Sequence, residues 1–204
     1  MVDVRYDIAF KLYPYEKVAD QDLAPRRHPV VIVGGGPVGM ATALDLGRKG
    51  TPVLVLDDHE GVGQGSRAIC FAKRTLEICD RLGAAKGMVD KGVVWNVGKV
   101  FHGDKRVFEF NLSPEDGHKA PAFINLQQPY FEKHLVEEIR VAQSQGAPIE
   151  IRGRNGVTGM AQQGDHVLID VNTPDGPYQL EADWVIACDG ARSPTRDMLG
   201  LSFE

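Results

Sequence analysis

The spacing of apolar positions changes several times along the chain, and each change marks an element. Pro29 to Val33 is an unbroken apolar run, the pattern of a strand buried on both faces. From Pro37 onward, Gly39, Ala43, Leu46 and Gly50 recur at i, i+4, i+7 and i+11, which predicts a helix with a stripe of mostly small residues. Val53 to Leu56 reads as a second buried strand. A helix is expected over about Ala72 to Leu82, with Thr75, Ile78, Cys79 and Leu82 inward and Gly83 ending it. Val97–Phe101 and Val107–Asn111 read as two short strands turning at Gly103-Asp104. Phe123 to Leu126 predicts another strand. Phe131, Leu135, Ile139 and Ala142 then lie on one face of a long helix reaching about Gln145.

Ile149 to Arg152 predicts a parallel strand. A meander of Val157–Gln162, Val167–Val171 and Tyr178–Ala182 follows, with turns at Gly164-Asp165 and at Thr173 to Gly176. Trp184 to Cys188 is expected as a separate, buried parallel strand. Residues 1–28, with Tyr13-Pro14-Tyr15 and Arg26-Arg27-His28, form an N-terminal extension that packs on the domain surface or stays mobile. The order strand, helix, strand, followed by a meander, predicts an α/β, Rossmann-like fold.

The junctions of these elements carry the candidate chemistry. Gly34, Gly36 and Gly39 form Gly-x-Gly-x-x-Gly between the first strand and the first helix, and Asp57 ends the second strand 23 residues after Gly34. Gly34 suits the tight turn, Gly36 leaves room for a pyrophosphate, and Gly39 lets helix and strand touch. Pro37 and Val38 open the helix, whose first turn offers free N–H groups and partial positive charge to phosphate. A carboxylate at Asp57 accepts hydrogen bonds from an adenosine ribose and repels a 2′-phosphate, favouring FAD or NAD over NADP. Arg67, in the glycine-rich loop after that strand, either forks onto phosphate or a flavin edge or is simply solvated. Gln127 or Gln128 either aims an amide at a ligand or caps the long helix. Asp189-Gly190, with Arg192 and Arg196 beyond, is either a second phosphate or ribityl site or a turn capped by Asp189.

Composition narrows the field. The 204 residues carry 23 Lys and Arg against 28 Asp and Glu, a formal charge of −5 without a basic run, which argues against nucleic acid as a partner. No apolar stretch is long enough for a membrane span, and the N-terminus lacks a signal-peptide core. Cys70, Cys79 and Cys188 are odd in number and unpatterned, as expected of reduced cytoplasmic thiols that are small core residues rather than nucleophiles; no metal site is expected.

In combination, four stretches resemble the single-component FAD-dependent aromatic hydroxylases, the flavoprotein monooxygenases typified by p-hydroxybenzoate hydroxylase. They are the glycine fingerprint with Asp57, Ser66-Arg67-Ala68 ahead of Thr75-Leu76-Glu77, Gln128 with Glu132 and Leu135, and Cys188-Asp189-Gly190 with Ser193 and Arg196. The wording around 66–78 and 125–129 is similar to the 3-(3-hydroxyphenyl)propionate hydroxylase-like branch. The resemblance covers about 29–200 and implies a glutathione-reductase-like FAD/NAD(P)-binding fold with an antiparallel meander. It implies that Gly34, Gly36 and Gly39 hold the FAD pyrophosphate and that Asp57 holds the adenosine ribose. Arg67 and Gln128 would contact the cofactor, and Asp189, Gly190 and Arg196 would serve FAD and the transient approach of NAD(P)H. The implied reaction reduces the flavin with NAD(P)H, adds O₂ at flavin C4a, and places one oxygen of the resulting hydroperoxide on a small phenolic ring. No catalytic triad is expected, because the protein's part is to position the ring and exclude water.

The family's later Gly-Asp motif and most of its substrate-side sheet do not occur in these residues. The expectation is therefore an N-terminal portion: an FAD-binding domain over 29–204, truncated, with 97–120 the start of the substrate-side β region. Uncovered sheet edges would favour association, including homo-oligomers. These residues alone are expected to bind FAD weakly and turn nothing over. Another FAD oxidoreductase (epoxidase, reductase or halogenase) and a non-catalytic dinucleotide-binding module are the competing readings.

Overall fold

The computed structural model describes residues 10–62, 68–112 and 115–203. In chain order the elements are β1 (Arg26–Val33), α1 (Pro37–Arg48), β2 (Val53–Leu56), β3 (Cys70–Ala72), α2 (Lys73–Arg81), α3 (Ala85–Lys91) and β4 (Val93–Trp95). The hairpin β5 (Val97–His102) and β6 (Lys105–Asn111) follows, then β7 (Phe123–Asn125), α4 (Gln128–Ser144) and β8 (Ile149–Arg152). The meander β9 (Gly156–Gln163), β10 (His166–Thr173) and β11 (Gly176–Ala187) leads to the short α5 (Pro194–Met198).

The main sheet has the order β8-β2-β1-β11-β10-β9. Its first four strands are parallel, and β10 and β9 continue it antiparallel. The result is a Rossmann-like α/β fold with an antiparallel extension. Alternation along β1 sends Val30 and Ile32 into one core, with Met40, Ala43 and Leu44 of α1 and Leu135 and Ile139 of α4. Val31 faces the other core, with Leu54, Leu56, Ile169, Val171 and Leu180. Both faces of the parallel strands are thus covered, which is why they read as unbroken apolar runs.

Several expectations are corrected by this packing. Tyr178–Ala182 and Trp184–Cys188 are not two strands. All but Cys188 lie on one twelve-residue strand, β11, paired antiparallel to β10 over its first half and parallel to β1 from Leu180 onward. Beyond Ala182 its second edge has no ladder partner among the described residues, and Trp184 is 72% exposed rather than buried. β1 starts at Arg26, ahead of the apolar run, because Arg26 to His28 pair in register with Leu180 to Ala182. The expected boundary at 28/29 therefore falls inside a strand. In α1 the inward residues are Gly39, Met40, Ala43, Leu44 and Gly47; Leu46 is half-buried, and Gly50 lies exposed beyond the helix at φ +81°. In α2, Leu76, Cys79 and Leu82 face inward, while Ile78 is exposed and Thr75 half-buried. α3, β3 and β4 were not anticipated, being too short to show a period.

The N-terminal extension is not a free tail over its described part. The Val62 N–H donates to the Phe10 carbonyl at 3.1 Å and the Tyr13 N–H to the Glu60 carbonyl at 3.3 Å. A 3₁₀ turn over Ala19–Asp22 delivers Asp20 into the interior. There Arg152 Nη2 donates to Asp20 Oδ2 at 2.7 Å, and His28 Nε2 lies 3.3 Å from the same oxygen. Arg152 also donates to Glu150 at 2.6 Å and to the Tyr178 hydroxyl at 3.1 Å. Burial would raise the Asp20 pKa, but the Arg152 hydrogen bond and charge outweigh it and hold it below the ordinary value. Burial, and then the charge of Arg152, lower the pKa of His28, which stays neutral at pH 7.

Breaking a buried pair strands the remaining charge, which costs more than the pair itself contributes. Asp20→Ala is expected to lower unfolding free energy by about 3 kcal/mol, the low end for such a break because Glu150 still faces Arg152. Urea denaturation checks this. Because the folded Asp20 titrates below its unfolded value of 3.8, its contribution is complete above that pH and is lost as pH falls through the folded value. The difference between wild type and Asp20→Ala should therefore shrink in acid.

Candidate functional site

The glycine turn is held by its own steric limits. Gly34 has φ +105°, and a Cβ there would lie 2.5 Å from the Cys188 carbonyl oxygen. The Gly34 N–H donates to the Leu56 carbonyl and the Cys188 N–H to the Val33 carbonyl, each at 2.8 Å. The ends of β2, β1 and β11 are thus tied together. A Cβ on Gly39 would sit 1.9 Å from the Gly34 carbonyl oxygen, so α1 presses directly on the turn. At Gly36 a Cβ meets nothing within 4 Å, because the position opens onto the cleft. The first helical bond of α1 runs from the Met40 N–H to the Gly36 carbonyl at 3.0 Å. The N–H groups of Val38 and Gly39 precede it and Pro37 has none, leaving the positive end of the helix toward the cleft.

Asp57 closes the first loop. Its Oδ2 accepts from the Gly35 N–H at 2.5 Å and its Oδ1 from the His59 N–H at 2.8 Å. Each oxygen keeps a second lone pair for a ligand hydroxyl. Burial raises the Asp57 pKa above the ordinary carboxylate value, against the opposing effect of those two N–H groups.

A cleft of ≈ 820 Å³ runs past the glycine turn and Asp57 to Gln128, Glu132, Asp189, Gly190 and Arg192. That is within the usual range for ligand sites. The open wall at Gly36, the free helix N-terminus and the carboxylate at the end of β2 together fit a dinucleotide pyrophosphate and ribose. Gln128 begins α4 and donates to Glu132 at 2.6 Å, so its amide faces the cleft already committed on one side. Asp189 accepts from the Ser193 hydroxyl at 2.6 Å and the Thr195 N–H at 2.9 Å, and Ser193 caps α5 by accepting from the Arg196 N–H at 3.0 Å. The Asp-Gly stretch is therefore a capped turn that also lines the cleft. Burial raises the Asp189 pKa, but these donors outweigh it and hold the pKa below the ordinary value.

The structure brings Gly34, Gly36, Pro37, Val38, Asp57, Gln128, Asp189 and Gly190 to one cleft, with Gly39 behind the turn. It does not bring Arg196 there. The Arg196 guanidinium donates to the Ala191 carbonyl and lies 4.4 Å over the Phe203 ring, while Arg192 lines the cleft. Arg67 lies outside the described residues. Sequence reasoning missed Tyr13, whose buried hydroxyl donates to the Gly61 carbonyl at 3.0 Å. The available signals were the aromatic pair Tyr13 and Tyr15 and the alternating apolar run that precedes it. Cys188 borders the cleft, but burial and then Asp189 raise its pKa, and burial pushes the Cys79 thiol up to about 11. Neither is a poised nucleophile.

Residues 27–204 match the family model described as an FAD binding domain. The chain belongs to that family. FAD is accordingly its cofactor. Over 178 residues the domain is 32% identical to para-nitrophenol 4-monooxygenase of Pseudomonas sp. (strain WBC-3), covering 86% of this chain and 43% of the relative. It is 26% identical over 181 residues to 3-(3-hydroxy-phenyl)propionate/3-hydroxycinnamic acid hydroxylase of Mycolicibacterium smegmatis, covering 89% and 32%. The crystal structure of p-nitrophenol 4-monooxygenase PnpA from Pseudomonas putida DLL-E4 superposes with a TM-score of 0.80 at 32% identity, covering 88% of this chain and 45% of that one. The FAD-binding domain thus spans less than half the length of these relatives.

Two predictions separate binding from folding. Gly36→Val, into open space at φ −74°, should leave the melting temperature within about 2 °C while weakening FAD at least tenfold, as thermal melts and flavin fluorescence titration would read. Gly39→Ala, against backbone at 1.9 Å, should destabilise the fold itself by about 2 kcal/mol or more. A ribose hydroxyl that donated to Asp57 would favour its ionised form. FAD affinity should therefore fall as pH drops through the raised value of the free protein, and Asp57→Asn should flatten that acid limb.

Proposed function

We propose that this chain is the FAD-holding part of an NAD(P)H-dependent flavin monooxygenase that hydroxylates a small phenolic substrate with O₂. The observation that carries the reading is the convergence of the Gly34–Gly39 turn, Asp57 and the Asp189 loop on one cleft, in a domain whose relatives are named for phenol hydroxylation. FAD, when bound, supplies the hydride acceptance and oxygen activation. The chain's own residues do the holding. The turn and the first N–H groups of α1 take the pyrophosphate, Asp57 takes the ribose, and Gln128 and Asp189–Gly190 form the wall beyond. Arg67 and Arg192 are the cationic candidates for the phosphate and flavin side, with Arg196 supporting the Asp189 turn.

NAD(P)H has no second glycine fingerprint in the sequence to bind it, which agrees with a transient co-substrate. In this reading the FAD-binding domain takes in the whole of β1, from Arg26, rather than starting at residue 29. The hairpin β5–β6, which exposes Val97, Val100, Phe101, Val107 and Phe108, is the near edge of the substrate side. No helix among the described residues is long and apolar enough to cross a membrane. A cytoplasmic enzyme with reduced cysteines fits this and the unpaired thiols.

Fluorescence titration of the purified chain with FAD tests the reading. Saturable binding by wild type and its loss in Gly36→Val is expected; a folded wild type that shows no saturation overturns it. Substrate-stimulated NAD(P)H oxidation by these 204 residues alone is not expected. Observing it would show a complete hydroxylase site within them.

A further inference from the structure

The segment that precedes the family match enters the site. Residues 10–22 lie ahead of the matched region, which begins at residue 27, yet Phe10, Lys11 and Tyr13 line the cleft beside the glycine turn and the Asp57 loop. The backbone of this segment is tied to the loop by the Val62-to-Phe10 and Tyr13-to-Glu60 hydrogen bonds. Behind it, Arg140 of α4 donates to the Leu12 carbonyl at 2.5 Å. Further along, Gln21 Nε2 donates to the Thr173 hydroxyl at 3.0 Å, and Asp20 is locked to Arg152.

Two glycines of the domain are shaped to receive the segment. A Cβ on Gly61 would lie 1.9 Å from the Phe10 carbonyl oxygen, and one on Gly153 would lie 2.0 Å from the Tyr13 carbonyl oxygen. Side chains at either position would push the segment off. Tyr13 spans both halves of the site, its hydroxyl donating to the Gly61 carbonyl at 3.0 Å with the Gly35 carbonyl 3.5 Å away. Gly35 is the residue whose N–H holds Asp57.

We propose that residues 10–22 are a built wall of the cofactor site, in which Tyr13 is a positioning residue that fixes the Asp57–Val62 loop against the glycine turn for the adenosine half of a dinucleotide. This rests on the FAD reading above. Lys11 does not present a free charge to the phosphates, since its ammonium pairs with Glu60 at 2.5 Å. The contribution is geometric: without the hydroxyl and ring, the loop from Asp57 to Val62 is tied to the turn only through the Asp57 carboxylate, and ordering its far end falls to the ligand.

The test compares wild type, Tyr13→Phe, Tyr13→Ala and a chain starting at residue 25, with FAD and with ADP as probes. Tyr13→Phe should weaken both ligands roughly threefold and Tyr13→Ala roughly tenfold or more, at a temperature well below every melting point. Loss shared by ADP places the effect at the adenosine end. The acid limb of FAD binding provides a readout that a merely structural role would not move. The titratable groups facing Asp57 are Asp58 and His59 in its own loop and Tyr13 in the segment, with Glu132 of α4 across the cleft. Opening the wall exposes Asp57, so the limb should move to lower pH in Tyr13→Ala. Unchanged FAD and ADP affinities in both Tyr13 variants, with wild type binding normally, overturn the proposal even if the shortened chain fails to fold. No binding of either probe by folded wild type overturns the FAD reading, and this proposal with it.

Discussion

Gly34 can approach the Cys188 carbonyl only because it has no side chain, and the geometry of the cleft depends on that approach. β1 and β11 are adjacent and parallel, so both deliver their C-terminal loops to the same edge of the sheet. The loop after β1 turns on Gly34 into α1, and the loop after β11 turns through Asp189 and Gly190 into α5. One backbone contact therefore sets the separation of two loops that otherwise share no sequence. β2, hydrogen-bonded to the other side of β1, adds Asp57 at the same level. Ligand sites of open parallel sheets lie at such carboxyl edges for this reason: the strands end together and the helix N-termini point there.

The parts of this arrangement that repeat locally were legible in the sequence. The strand, turn, helix and strand from Val30 to Asp57 depend on residues within about thirty positions of one another, and their pattern states both the elements and their junctions. The long helix α4 showed its buried face for the same reason. What was not legible depended on partners far away. Nothing local distinguishes Ala182 and Trp184 as one strand rather than two, because the distinction is made by β1, which pairs across both. Thr75 and Leu76 are neighbours, and the choice of which to bury is made by the surface that α2 meets. Arg196 was the expected cofactor contact, but its bond to the Ala191 carbonyl and the ring of Phe203 hold it away from the cleft, and Arg192 lines it instead.

The extension illustrates the same limit more sharply. Apolar residues alternate from Val2 to Leu12, yet nothing local in the extension says what its described part packs against. Its partners are a buried arginine more than a hundred positions later and two glycines whose lack of side chains reads, locally, as loop punctuation. Asp20 and Arg152 are individually poor candidates for an interior, and only together, with Glu150 and Tyr178 sharing the donors, is their burial sustainable. Any packing that moved one of these groups would leave a buried donor or acceptor unpaired, which is costly.

The continuity of β11 bears on how the chain reaches this state. β1 leaves the ribosome about 150 residues ahead of the strand that becomes its central neighbour. Until then its β11 edge has no ladder, and the first core has its sheet on one side only. The β10–β11 hairpin, by contrast, joins adjacent segments through a two-residue turn and can form as soon as it emerges. Once formed, it presents Leu180 to Ala187 as a ready template, and β1 docks along that edge in a single register. That pairing is one long-range closure, and it is also what brings the loops at Gly34 and Cys188 together.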